Sequence, residues 1–186
     1  AEAQVAGASI FFGDEASIRT DFHSGTTWAP VGQTPIVRGT GNRKTVNMIS
    51  AISAQGKLHF SLVDGTTTSA TFIEFCKQLL QDVDGTVFLI VDGHGIHKSA
   101  ATREYVASTE GRLRIFHLPP YSPELNPDEW VWKNVKNDNA GKVAARTVDE
   151  LRDSVKKAFA RLLATPEIIR GFFRSPDLSY INIPLT

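Results

Sequence analysis

Residues 7–20, GASIFFGDEASIRT, hold a short apolar block that breaks at a carboxylate, Asp14, as a buried strand carrying an acid would. Residues 45–67 contain two β-like runs around Gln55-Gly56-Lys57, which predicts a hairpin. In residues 69–83 the apolar side chains Phe72, Phe75, Cys76, Leu79 and Leu80 recur every three or four positions, predicting an amphipathic helix with Ser69 as its cap. Residues 85–95, GTVFLIVDGHG, are almost continuously Val, Phe, Leu and Ile up to Asp92, the signature of a strand buried on both faces. A helix follows over 97–109, closed by Gly111, and RLRIFHLPP gives a last strand that stops at Pro119-Pro120. Two further helices are predicted over 123–137 and 148–163, with Gly141 between them. The tail from Pro166 is expected to pack as an arm, covering Trp130.

That order, three strands, helix, strand, helix, strand and two helices, predicts an α/β fold: a mixed five-stranded sheet with helices on both faces. No repeat and no linker rich in Gly, Ser or Pro divides residues 1–186, so one domain is expected. Residues 23–44, rich in Gly, Thr and Pro, read as a long ordered loop or loose hairpin.

Composition changes the picture little. Lys plus Arg and Asp plus Glu are both 20, a balance that neither requires nor excludes a nucleic-acid partner. The single cysteine, Cys76, rules out an internal disulfide framework and a cysteine-rich zinc site, and its helical neighbours predict burial. No apolar run approaches the ~20 residues of a membrane helix, and no cationic leader opens the chain, which predicts a cytosolic protein. The chain begins at Ala1 and its one methionine is Met48, so a longer parent protein is expected.

Candidate chemistry lies in three acids at element ends. Asp14 and Asp92 each terminate an apolar run, and neighbouring first and fourth strands would bring them together. Glu129 falls one turn into the helix after the last strand, where Asn126 can cap and Pro127 suits the first helical position. Converging carboxylates suit hard divalent cations such as Mg²⁺ or Mn²⁺, and two such ions serve phosphodiester chemistry. Glu15, next to Asp14, points to the opposite face of a regular strand. Lys133 and Lys136 follow Glu129 by four and seven residues, on its side of an α-helix, where they could pair with the acids or hold a DNA phosphate.

Three blocks, FFGDEASIRTDFHSGTTWAPVGQTP, FLIVDGHGIHKS and LPPYSPELNPDEWVWKNVK, resemble the DDE transposases of mariner-like elements, particularly their bacterial insertion-sequence relatives. The last block is the most specific: a proline corner, then Leu-Asn-Pro, then an acid and a tryptophan on a helix. The resemblance implies an RNase H-like fold and makes Asp14, Asp92 and Glu129 the catalytic, metal-holding acids, with two Mg²⁺ or Mn²⁺ ions. It implies cleavage of DNA at element ends and transfer of the 3′-hydroxyl into target DNA, normally at TA, by a homodimer in a bacterial cytoplasm, at the nucleoid when on DNA. Asp128 stands where the family often has an apolar residue, and helix neighbours diverge by about 100°, so Glu129 is assigned as the third acid. Trp132 matches the family's tryptophan, and packing is its expected role. His97 also matches a family position, as a phosphate contact, a proton shuttle or a helix-start hydrogen bond. Arg38, Arg43 and Lys44 fall where the family has a clamp that touches DNA or a partner subunit. No helix-turn-helix precedes the first strand, so weak DNA binding without sequence choice is expected of this chain. The alternatives are another RNase H-like nuclease, such as an integrase or resolvase, and a non-catalytic DNA-binding descendant.

Overall fold

The computed structural model describes residues 2–22, 30–33, 44–142 and 145–181. After a one-turn helix, α1 (Glu2–Val5), five strands form a single sheet: β1 (Ser9–Arg19), β2 (Thr45–Ile52), β3 (Leu58–Val63), β4 (Val87–Val91) and β5 (Leu113–His117). Their spatial order is β3-β2-β1-β4-β5. β1 is central. It runs antiparallel to β2, from Phe12↔Ile52 to Arg19↔Thr45, and parallel to β4, from Ser9↔Val87 to Phe12↔Ile90. The mixed sheet expected from the sequence is therefore present, with β1 and β4 adjacent.

Strand periodicity of two sorts the side chains of β1. Ile10, Phe12, Ala16 and Ile18 join one core with Val131, Trp132, Val155 and Phe159. Phe11 enters the other, with Phe72, Leu79, Leu89 and Val91. Helices α2 (Ser69–Asp82) and α3 (Ala100–Ser108) cover that second face. The first is covered by α4 (Glu129–Trp132), α5 (Val148–Ala164) and α6 (Pro166–Phe172). Asp14 shares its parity with Phe12 and Ala16 and so faces α4; Glu15 faces α2 and α3.

Local chemistry departs from the sequence reading in three places. The cap of α2 is Thr68, not Ser69: Thr68 Oγ1 accepts the Thr71 amide while Thr71 Oγ1 accepts the Thr68 amide, a reciprocal box. The helix expected over 123–137 is instead a 3₁₀ turn (Pro123–Leu125), the single α turn of α4, then a π-helical stretch (Lys133–Asn139) and another 3₁₀ turn (Ala140–Lys142). The tail forms α6 and a 3₁₀ segment (Pro176–Ile181), burying Ile169, Phe173 and Leu178, and it leaves Trp130 exposed at 43%.

The β2–β3 turn needs Gly56 twice over: its φ is +87°, and a Cβ there would lie 2.9 Å from the Pro166 carbonyl oxygen. Cys76 is buried, which pushes its thiol far above the ordinary range, so it acts as a small apolar side chain. No helix among the described residues is long and apolar enough to cross a membrane.

Phe159 is the centre of the α5 face: its ring stacks on Phe60 at 4.1 Å and meets Trp132 edge-on at 6.2 Å. Phe159→Ala should cost about 3–5 kcal/mol in urea unfolding, through lost transfer energy and the cavity left behind. Leu163→Ala on the same helix, at a side chain 48% exposed, should cost under about 1 kcal/mol.

Candidate active site

The site is built where one turn of α4 lies across one rung of the sheet. Asp14 and Ser50 are direct partners in the β1–β2 register. The Trp132 indole Nε1–H donates to Asp14 Oδ2 at 3.1 Å, and the Ser50 hydroxyl donates to Asp128 Oδ2 at 2.6 Å. Asp128 and Trp132 stand four residues apart, hence on one side of the helix. Asn126, expected to cap this helix, instead closes the preceding 3₁₀ turn, and α4 begins at Glu129 with Asp128 as its N-cap; the Asn126 side-chain oxygen still accepts the Asp128 amide at 3.1 Å.

Neighbouring charge and burial perturb these acids. Burial is the main cause that raises Asp14 to about 7, helped by the charges of Glu129 and Glu15 and opposed by hydrogen bonds from the Glu15 amide and Trp132. Asp128 is wholly buried; loss of solvent lifts it well above the carboxylate range, against the hydrogen bond from Ser50. Its Oδ1 is buried with no hydrogen-bond partner. Glu129, turned about 100° from Asp128, is exposed at the rim.

Asp92 directly follows β4 and is held by its own loop. Its Oδ1 accepts the His94 amide at 2.9 Å and lies 3.0 Å from His97 Nδ1. Continuing the β1–β4 register by two residues beyond Phe12↔Ile90 sets Asp92 level with Asp14. Among the described residues no three His, Cys, Asp or Glu side chains are gathered closely enough to hold a metal ion. The structure thus brings Asp14 and Glu129 into electrostatic contact, whereas Asp92 lies one strand away with its carboxylate folded onto its own loop.

His97 is buried, with both ring nitrogens occupied: Nε2 lies 2.7 Å from Glu15 Oε1, and Nδ1 faces Asp92. It packs on Phe72 with ring centroids 4.6 Å apart. Burial opposes its charge, but the hydrogen bond and charge of Glu15, together with Asp92, outweigh that and raise its pKa. Its place is therefore behind Asp92, where it has no free nitrogen for a phosphate. Glu15 faces away from Asp14, as strand parity requires.

Lys133 does not reach back to the acids; its Nζ lies 4.6 Å above the exposed Trp130 ring. Lys136 falls within the π-helical stretch, so the α-helical spacing that would align it with Glu129 does not apply. Arg38 and Arg43 lie outside the described residues; Lys44 is exposed, and its carbonyl accepts the Thr20 amide at 2.9 Å. Two participants, Ser50 and the Glu15–His97 link, carry no motif of their own. Parity could have put Glu15 on the His97 face, but only the register singles out Ser50.

Residues 9–152 match the family model of the DDE superfamily endonucleases. The chain belongs to that family. It is 32% identical over 128 residues, 67% of this chain, to the insertion element IS630 uncharacterized 39 kDa protein of Shigella sonnei, and spans 36% of that protein's length. In structure it resembles the Mos1 strand transfer complex, with a TM-score of 0.69 at 18% identity over 92% of this chain and 52% of that one. The catalytic domain of Mos1 mariner transposase gives 0.60 at 13% identity over 94% and 82%. These likenesses show that this DDE domain has the fold of the Mos1 catalytic domain, the RNase H-like architecture.

The Asp128–Ser50 bond makes a stability prediction. A carboxyl whose folded pKa is raised binds its proton more tightly folded than unfolded, so its contribution falls as pH rises above the ordinary value of 3.8. In metal-free buffer, Asp128→Asn should therefore gain stability relative to wild type as pH rises from 5 to 8, read as a widening difference in Tm. Ser50→Ala should lower stability by about 1–3 kcal/mol, since it leaves the buried carboxyl with no donor.

Proposed function

We propose that this DDE domain is the catalytic part of an insertion-sequence transposase, cutting DNA at element ends and joining the freed 3′-hydroxyl to target DNA. The observation that carries the reading is Asp14 on the central strand with Glu129 brought to it by α4, beside a parallel strand that Asp92 directly follows. Asp14, Asp92 and Glu129 would hold the divalent metal. The donor set fits, because all three offer hard carboxylate oxygens and Glu129 and Asp92 are exposed. Mos1 paired-end complexes are known with Mn and with Mg, and the same ions, two per site, are proposed here. When bound, such ions polarise the scissile phosphate and lower the pKa of the attacking hydroxyl group.

The chain's own residues supply position. Trp132 holds Asp14 Oδ2 and the Glu15 amide holds Oδ1, one donor on each oxygen of the carboxylate. His97, held by Glu15, sets the Asp92 loop from behind. Asn126 and Pro127 set where α4 begins, and thereby where Glu129 stands. Loading the site would require Asp92 to turn from its own loop towards Asp14, a side-chain movement its exposure permits. We further propose that the active assembly is a homodimer on DNA at the nucleoid, with TA as the target dinucleotide.

Supercoiled plasmid with Mn²⁺ or Mg²⁺ tests the reading directly. Wild-type protein should nick it, while Glu129→Gln, Asp14→Asn and Asp92→Asn should each fall by at least about a hundredfold, and EDTA should abolish the reaction. Equal nicking by Glu129→Gln would overturn the assignment of the third acid. If wild type neither nicks nor binds Mn²⁺ by calorimetry, the domain is a non-catalytic DNA-binding descendant instead.

A further inference from the structure

A second feature adjoins the acids from the opposite side of the sheet. Between α3 and the edge strand β5 runs a groove of about 470 Å³, lined by His97, Lys98, Arg103 and His117 over an apolar floor that includes Val106 and Ile115. Its described lining contains no acid. Lys98, Arg103 and His117 are exposed, and the Arg103 guanidinium is anchored by one N–H on the Lys98 carbonyl.

The groove joins the Asp92 loop at three points. His117 Nδ1 lies 3.1 Å from the Asp92 carbonyl oxygen, and His97 Nδ1 lies 3.0 Å from its carboxylate. Lys98 folds over the same loop: a Cβ on Gly93 would come within 3.0 Å of the Lys98 ammonium, so glycine at 93 leaves room for that charge beside Asp92. A cationic rim above an apolar floor matches a nucleic-acid strand, whose phosphates want the cations while its sugars present carbon faces. A lone inorganic anion would use little of this space, given the ~30 Å³ that one water occupies.

We propose that the α3–β5 groove is a phosphodiester-binding track, holding the DNA strand that runs past Asp92, with Lys98 and Arg103 as its phosphate contacts. This rests on the DNA-cleaving reading above. Both side chains are exposed, so their loss leaves the core intact.

The test compares wild type, Lys98→Gln/Arg103→Gln and, as an equal charge change on exposed positions of α5, Lys156→Gln/Lys157→Gln. Binding of a fluorescein-labelled 20-mer duplex is followed by anisotropy without metal, from 50 to 200 mM salt, and plasmid nicking is measured alongside. The groove variant should bind at least about tenfold more weakly at 50 mM and lose about two from the slope of log affinity against log salt. The α5 variant should change less in both. Groove and α5 variants weakened equally, or a groove variant that binds as wild type does, would overturn the track. So would displacement of the duplex by millimolar inorganic phosphate in wild type but not in the groove variant, since the groove would then be a small-anion site. Wild type that binds DNA through the groove yet never nicks would sink the catalytic reading and leave the track standing; wild type that nicks while the groove variant binds normally would do the reverse.

Discussion

One helical turn docked on one cross-strand pair sets the geometry of the site. Asp128 and Trp132 rise about 6 Å apart along α4, and cross-strand neighbours such as Asp14 and Ser50 stand about 5 Å apart. The two spacings are close enough for both hydrogen bonds, Trp132 to Asp14 and Ser50 to Asp128, to form together. That match fixes the rotation of α4 about its axis. With residues 128 and 132 against the sheet, residue 129 is forced to the rim, and Glu129 meets solvent because Asp128 does not. Two adjacent acids thus take opposite environments from a single docking event.

The same docking sets the electrostatics. A carboxylate roofed by a helix and ringed by other acids cannot hold its charge at ordinary cost, which is why Asp14 is raised to about 7 and Asp128 is lifted well above the carboxylate range. Asp128 lies wholly buried, with the Ser50 hydroxyl donating to its Oδ2. Asp14 retains two hydrogen bonds and the nearby charge of Glu129, a concentration of negative potential that a divalent cation would relieve. Structural acid and site acid differ here in access to solvent rather than in residue type.

Much of this was legible in the chain. The apolar runs before Asp14 and Asp92 marked two strands, but β1 continues to Arg19 and carries Asp14 at mid-strand, whereas Asp92 directly follows β4; period-two alternation put Glu15 opposite Asp14. Asn126-Pro127 announced a helix beginning two residues before α4 does, because the chain first closes a 3₁₀ turn at Asn126. The π-helical stretch was not legible, because nothing in KNVKNDN breaks α-helical spacing on its own; the widening arises in the packed state, where Val135 stays buried on the sheet side and Asn139 reaches back to the Asn134 carbonyl. Lys133 and Lys136 were placed by a period that the helix abandons at residue 133. Ser50 was hidden for a different reason: a serine in a strand carries no signal until the register shows what stands beside it.

Consecutive residues of β1 tie the two halves of the site together. Asp14 points to the α4 face and receives Trp132, while Glu15 points to the α3 face and receives His97, whose other nitrogen holds Asp92. The hydrogen bond at 2.7 Å between Glu15 and the buried His97 ties β1 to the Asp92 loop. A register slip of one residue on β1 would exchange the faces of Asp14 and Glu15 and lose both links at once. The pleat of a single strand therefore places Asp14 directly, while Glu15 on its other face holds His97 and, through it, the Asp92 loop. The third acid alone depends on a separate element, and it is the one delivered by the proline corner.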